Sequence, residues 1–217
     1  MIRLFPSLMA SNLLTLEKTL HQLRDVCSGF HVDIMDGQFV PNLAFSIDMV
    51  NAIRSATPLS LWTHLMVFNP TKYVEKLALK EYDIVSIHYE SAPLEELKVI
   101  FRGLQDSNVV ASCALQPQTP VSVLHDLIGY INHVHIMSVH AGFSGQQFLP
   151  GTVSKLKELE AFQENFKTSL GVGVDGGINL ATIQEALSAS VTEIALGSSV
   201  FFGNKPEEKL EQFSKII

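Results

Sequence analysis

His31, Asp33 and Met35 stand two residues apart in the apolar run Gly29 to Met35, and His64 and Met66 repeat that spacing one run later. Side chains two apart on a strand share a face, so an imidazole, a carboxylate and a thioether would project together while Val32 and Ile34 turn the other way. Asp175 closes a further apolar run just before Gly176-Gly177. His31, Asp33, His64 and Asp175 form a candidate N2O2 set for one divalent metal ion per chain, with zinc or iron preferred over magnesium because imidazole is a borderline ligand, and with manganese or cobalt as alternatives. A single buried histidine is ordinarily a hydrogen-bonded core residue. Four ionisable groups facing one cavity are costly without a charge to share. His88 reads as equally suited to supporting a ligand and to catalysis, and His133 and His135 read as packing residues. Met35, Met66 and Met137 fit either ordinary core filling or an apolar wall beside a reacting carbon.

Glycine marks the second half of the candidate site. Ala141-Gly-Phe-Ser-Gly-Gln146, Gly176-Gly177 and Gly197-Ser198 each follow a strand-like run. Backbone N–H groups at glycine approach an anion closely, so three such loops after consecutive strands suggest a phosphate cradle that needs no basic side chain. None of the 11 lysines from Lys18 to Lys215 ends a strand-like run, which disfavours Schiff-base chemistry.

These groups require elements that bring them to one rim. Short β-type runs alternate with helical stretches throughout: the strand-like runs are Arg3–Leu8, Gly29–Met35, Leu59–Leu65, Ile84–His88, Val109–Leu115, His133–Val139, Leu170–Val174 and Glu193–Leu196. Helical spacing is expected over 13–23, 47–55, 71–80, 94–105, 121–127, 151–165, 180–188 with Asn179 as its cap, and 206–217. Eight strand-helix units predict an α/β fold, a (β/α)8 barrel in a single domain over 1–217, because parallel strands need crossover helices and cover on both faces. A doubly wound open sheet is the alternative. The barrel is favoured because the candidate residues all fall at carboxyl ends of strands, which a barrel gathers on one rim.

The net charge of −7 comes without a basic tract, which disfavours nucleic acid and anionic membranes as partners. No apolar stretch approaches the roughly 20 residues that span a bilayer. Cys27 and Cys113 have no metal or redox spacing, and the expected location is cytoplasmic.

Taken together, these residues resemble the ribulose-phosphate 3-epimerase family, including the allulose-6-phosphate 3-epimerases. The resemblance covers nearly the whole chain. It rests on Pro6-Ser7-Leu8-Met9, His31-Val-Asp-Ile-Met-Asp-Gly37 with Phe39-Val-Pro-Asn42, His64-Leu-Met66, Met137-Ser-Val with Gly142-Phe143 and Gly145-Gln146, Val174-Asp-Gly-Gly-Ile-Asn179, and Gly197-Ser198. It implies a sugar-phosphate isomerase, His31, Asp33, His64 and Asp175 as metal ligands, and Asp33 and Asp175 as the acid/base pair. It further implies Ser7 near the substrate, Met35, Met66 and Met137 around the reacting carbon, a phosphate held at Gly142, Ser144, Gly145, Gly177, Gly197 and Ser198, and a homo-oligomer. The chain departs from the family's usual residues at His140-Ala141, Trp62, Gln38 and Ser144. D-Ribulose 5-phosphate is the first expected substrate and D-allulose 6-phosphate the second, with a sugar-phosphate-binding relative that has lost catalysis as the reading from another class.

Overall fold

The computed structural model describes residues 2–217. Strands β1 (Arg3–Pro6), β2 (Gly29–Met35), β3 (Ser60–Met66), β4 (Ile84–His88), β5 (Val110–Leu115), β6 (His133–Met137), β7 (Gly171–Asp175) and β8 (Glu193–Leu196) form one eight-stranded sheet in the order β1-β8-β7-β6-β5-β4-β3-β2. Every ladder is parallel, and a parallel bridge between Ser7 and His31 joins β1 to β2, so the sheet curls into a nearly closed barrel. The helices are α1 (Leu16–Leu23), α2 (Ile47–Ala56), α3 (Thr71–Val74), α4 (Leu94–Asp106), α5 (Gly151–Phe166), α6 (Ile183–Ala186), α7 (Ser198–Phe201) and α8 (Pro206–Ser214).

Strand alternation sorts the residues into two cores. Val32, Ile34, Leu65, Val85, Ile87, Val134, Ile136, Val172, Val174 and Ile194 pack with helix residues such as Leu23, Ile53, Phe101, Leu156 and Phe213 in the layer outside the barrel. Inside it, Phe5, Trp62, Ile84 and Ala195 form a separate apolar plug. A buried hydrogen-bond chain adjoins the plug. Trp62 Nε1 donates to Ser86 Oγ at 2.7 Å, and Ser86 Oγ donates to Ser112 Oγ at 2.9 Å. Ser112 Oγ then lies 2.7 Å from His133 Nδ1, His133 Nε2 lies 3.0 Å from Glu193 Oε2, and Arg3 pairs with Glu193 Oε1 at 2.5 Å. Each of these polar side chains thereby gains a partner on another strand, the His133–Glu193 link passing over the glycines of β7.

Three connections differ from the expected helices. The helix expected over 71–80 stops at Val74, because Asn51 of α2 accepts a hydrogen bond from Ala78 N at 2.8 Å and donates to Lys76 O at 3.0 Å, diverting the backbone groups a helix would use. Val121–Leu127 is a 3-10 helix whose buried residues Val121, Leu124 and Leu127 recur every three positions, the period of that helix. The helix expected over 180–188 narrows to α6, with Asn179 Oδ1 accepting from Ala181 N at 2.8 Å to open the preceding turn. No helix among the described residues is long and apolar enough to cross a membrane.

Candidate active site

The carboxyl ends of the strands surround a mouth cavity of about 570 Å³, open solvent included. It is lined by Ser7 after β1, Asp33 and Met35 of β2, Met66 of β3, Met137 of β6, Asp175 of β7, and the loop residues Gly142, Ser144, Gly145, Gly177, Gly197 and Ser198. Met35 and Met66 pack with Val40, and Phe39 and Ala141 lie against them, so the apolar wall is shared by the loops after β2 and β6.

Fully buried histidines lie behind this lining. The β2–β3 register sets Asp33 opposite His64. His64 Nδ1 is 3.2 Å from Asp33 Oδ1 and 3.7 Å from Asp175 Oδ2. His31 Nδ1 is 3.4 Å from Asp33 Oδ2, and its Nε2 is 3.8 Å from Asp175 Oδ2. Neither ring nitrogen of His31 has a hydrogen-bond partner among the described residues, an arrangement that costs free energy in a dry interior and suits a nitrogen aimed at a cation. His31, His64, His135 and Asp175 each present one ligand atom within 4.8 Å of all the others, so this group is able to hold a divalent ion.

His135, which its sequence context suggests is a packing residue, does pack on Trp62, with ring centroids 4.7 Å apart, yet it also enters this cluster with Nε2 3.7 Å from Asp175 Oδ2. The alternation His133-x-His135-x-Met137 on β6 mirrors His31-x-Asp33-x-Met35 on β2 and is the signal that marks it. His133 has the structural role expected of it, bonded between Ser112 and Glu193.

The two carboxyl groups are driven apart in acidity. Burial works to raise the Asp33 pKa, but the charge of His31, 3.4 Å away, and the hydrogen bond of His64 outweigh it, leaving Asp33 well below the ordinary carboxylate range. For Asp175 burial wins, reinforced by the negative charge of Asp33 and offset in part by His31 and His64, and its pKa is raised. His88 supports the pair from outside: its Nε2 lies 2.8 Å from His64 Nε2, and its Nδ1 lies 3.3 Å from Glu90 Oε2. Burial lowers the His88 pKa to about 4, with Glu90 opposing and the charge of His64 adding to the fall. A neutral His88 can accept the Nε2 proton of His64; in that tautomer His64 Nδ1 gives up its hydrogen bond to Asp33 and turns its lone pair to an ion.

A family model described as the ribulose-phosphate 3 epimerase family matches residues 3–201. The chain belongs to this epimerase family. It is 33% identical over 206 residues to the ribulose-phosphate 3-epimerase of Bacillus subtilis, covering 93% of both chains. It is 34% identical over 210 residues to that of Schizosaccharomyces pombe, covering 95% of this chain and 90% of the yeast protein. The protein is accordingly an epimerase, an enzyme of the isomerase class. Among solved structures, a 3-hexulose-6-phosphate synthase matches with a TM-score of 0.71 at 13% identity and full coverage of both chains, a likeness of fold.

The departures from the family's usual residues have distinct locations in this epimerase. Trp62 is fully buried in the barrel plug and does not line the mouth. His140 and Ala141 begin the loop after β6 and do line it. Gln146 braces that loop by donating to His140 O at 2.6 Å and Phe143 O at 2.8 Å, and Asn42 Nδ2 donates to Gly142 O at 2.7 Å, tying it to the loop after β2. Gly177 adopts φ +64°, and a Cβ there would fall 2.3 Å from Phe148 N, so a side chain is excluded on both counts.

Proposed function

We propose that this chain is a metal-dependent ketose-phosphate 3-epimerase that interconverts D-ribulose 5-phosphate and D-xylulose 5-phosphate by proton transfer at C3 between two carboxyl groups. The observation that carries this reading is that Asp33 and Asp175, on strands separated by β1 and β8 around the barrel, both face one cavity, share His31 and His64, and have their acidities shifted in opposite directions. Inverting C3 needs one group to take the proton from one face and another to return a proton to the other face.

In this reading His31, Asp33, His64 and Asp175 hold the divalent ion, zinc or iron by ligand type, and the orphaned nitrogens of His31 fit that role. When bound, the ion supplies positive charge to the oxygens at C2 and C3 of the substrate, which makes the C3 hydrogen acidic. Ser7 Oγ donates to Asp33 Oδ2 at 3.1 Å and fixes that carboxylate for its approach to C3. The methionine wall keeps water from the reacting carbon. The backbone at Gly142, Ser144, Gly145, Gly177, Gly197 and Ser198 holds the phosphate. Among the eight strand ends no lysine or arginine lines this cavity, so dipoles rather than side-chain charge serve the dianion.

D-Allulose 6-phosphate is the second substrate to test, on the strength of Pro6-Ser7-Leu8-Met9 and Leu13-Leu14. Coupled assays with both ketose phosphates on metal-loaded enzyme decide the matter. The expected result is turnover of D-ribulose 5-phosphate with the higher kcat/KM; preference for the hexulose phosphate reverses the assignment, and turnover of neither removes it.

A further inference from the structure

We propose that His135 is a further ligand, a third imidazole whose Nε2 joins His31, His64 and Asp175 in holding the catalytic ion. The inference rests on the metal-dependent reading above.

His135 is fully buried, and neither of its ring nitrogens has a hydrogen-bond partner among the described residues. An imidazole has one N–H and one lone pair to satisfy, and burying both unpaired is costly unless something outside the protein completes one. Its surroundings point to a cation. The ring lies 4.4 Å from that of His64 and 5.9 Å from that of His31, centroid to centroid, and Nε2 lies 3.7 Å from Asp175 Oδ2. That same oxygen is 3.8 Å from His31 Nε2 and 3.7 Å from His64 Nδ1, so three nitrogens converge on one carboxylate oxygen. Trp62 packs against His135 but cannot satisfy it, because its own N–H is committed to Ser86.

Asp33 stands differently. It accepts a hydrogen bond from Ser7 and lies against the Nδ1 atoms of both His31 and His64, so it has protein partners of its own. His31, His64, His135 and Asp175 each present a ligand atom within 4.8 Å of all the others, a set of four that holds an ion without drawing on Asp33.

The test uses the full-length protein stripped of metal and reloaded with zinc. X-ray absorption at the zinc edge counts imidazoles from their outer-shell scattering, and competition with a chromophoric chelator gives the affinities of wild type, His64→Ala, Asp33→Asn and His135→Leu. The expected spectrum requires three imidazoles. Asp33→Asn should hold zinc within roughly tenfold of wild type, while His135→Leu weakens binding by roughly a hundredfold. Two imidazoles in the wild type, or an Asp33→Asn variant that loses as much affinity as His64→Ala, overturns the proposal even where activity depends on zinc. A wild type that binds no divalent ion removes the metal-dependent reading itself, so the two failures are distinct. The wild-type spectrum decides by itself if His135→Leu does not fold.

Discussion

Trp62 fills the space that Gly173 leaves empty: a Cβ at residue 173 would lie 2.5 Å from Cη2 of Trp62 and 2.7 Å from Cε1 of His133. The glycine on β7 and the indole on β3 are one packing unit across the barrel. Gly173→Ala therefore destabilises the protein by about 1–3 kcal/mol through overpacking, and Trp62→Ala by about 3–5 kcal/mol through the cavity it leaves. Because the two changes meet in one volume, the double variant should lose at least about 0.5 kcal/mol less than the sum. Urea unfolding of the four proteins measures this, and strict additivity would mean that the indole does not occupy this slot in solution.

Glu193 gives the barrel floor a pH dependence. Burial pushes its carboxyl up, but His133, Thr192 and Arg3 reverse this and bring its pKa down from 4.5 to about 2. A depressed folded-state pKa stabilises the protein above pH 4.5 and is lost as the pH falls toward 2. Glu193→Gln should cost on the order of 3 kcal/mol at pH 7, and the gap from wild type should narrow as the pH drops from 5 to 3. An equal gap at both ends of that range would refute the linkage.

His64 touches both carboxylates and hands its outer nitrogen to His88. His64→Ala should lose bound metal and epimerase activity together. Elemental analysis beside a coupled assay checks it. Wild-type protein that stays fully active after verified removal of all divalent metal would rule out the metal's role.

Ser198 opens α7 and lines the mouth beside Gly197. Ser198→Asp sets a negative charge where the phosphate is proposed to lie and should raise KM at least about tenfold with circular dichroism unchanged. An unaltered KM, or equal turnover of the unphosphorylated ketose, would move the anion elsewhere.

The two-carboxyl mechanism makes an isotopic prediction. In D2O the product should carry deuterium at C3, since the group that takes the proton is not the group that returns one. Asp33→Asn and Asp175→Asn should each abolish epimerisation, while the surviving carboxyl continues to exchange the C3 hydrogen of one epimer. Metal content is measured alongside. A metal-loaded Asp175→Asn variant that epimerises at the wild-type rate would exclude Asp175 as an acid/base group.

Much of this architecture is legible in the chain because strand alternation is strict. The period of two that separates Val32 and Ile34 from His31 and Asp33 also separates the outer apolar layer from the barrel interior. All eight strand-like runs became strands, with boundaries shifted by at most two residues. What the sequence concealed depends on contacts between distant segments. The capture of the 76–78 backbone by Asn51 cuts α3 short, and nothing local to Thr71 announces it. His135 has the spacing of a site residue, but its membership in the cluster follows from the closure that brings β6 toward β2 and β3. Trp62 reads as a departure near the site, whereas its role comes from two glycines on β7 that make room for it and for His133.

The hydrogen-bond chain through the barrel floor bears on where protons can travel. Hydroxyls and an imidazole can pass a proton along, but the chain ends at Trp62, whose indole nitrogen donates and has no lone pair to accept. With Phe5, Ile84 and Ala195 packed around it, that ring insulates the acid/base pair from the solvent at the far end of the barrel. Protons are left with the carboxyl rim of the barrel, through the mouth or along the row from His64 through His88 to exposed Glu90. Glu90→Gln, which interrupts that row without touching the mouth, should therefore tell the two routes apart in the rate at which label lifted from C3 washes out into water.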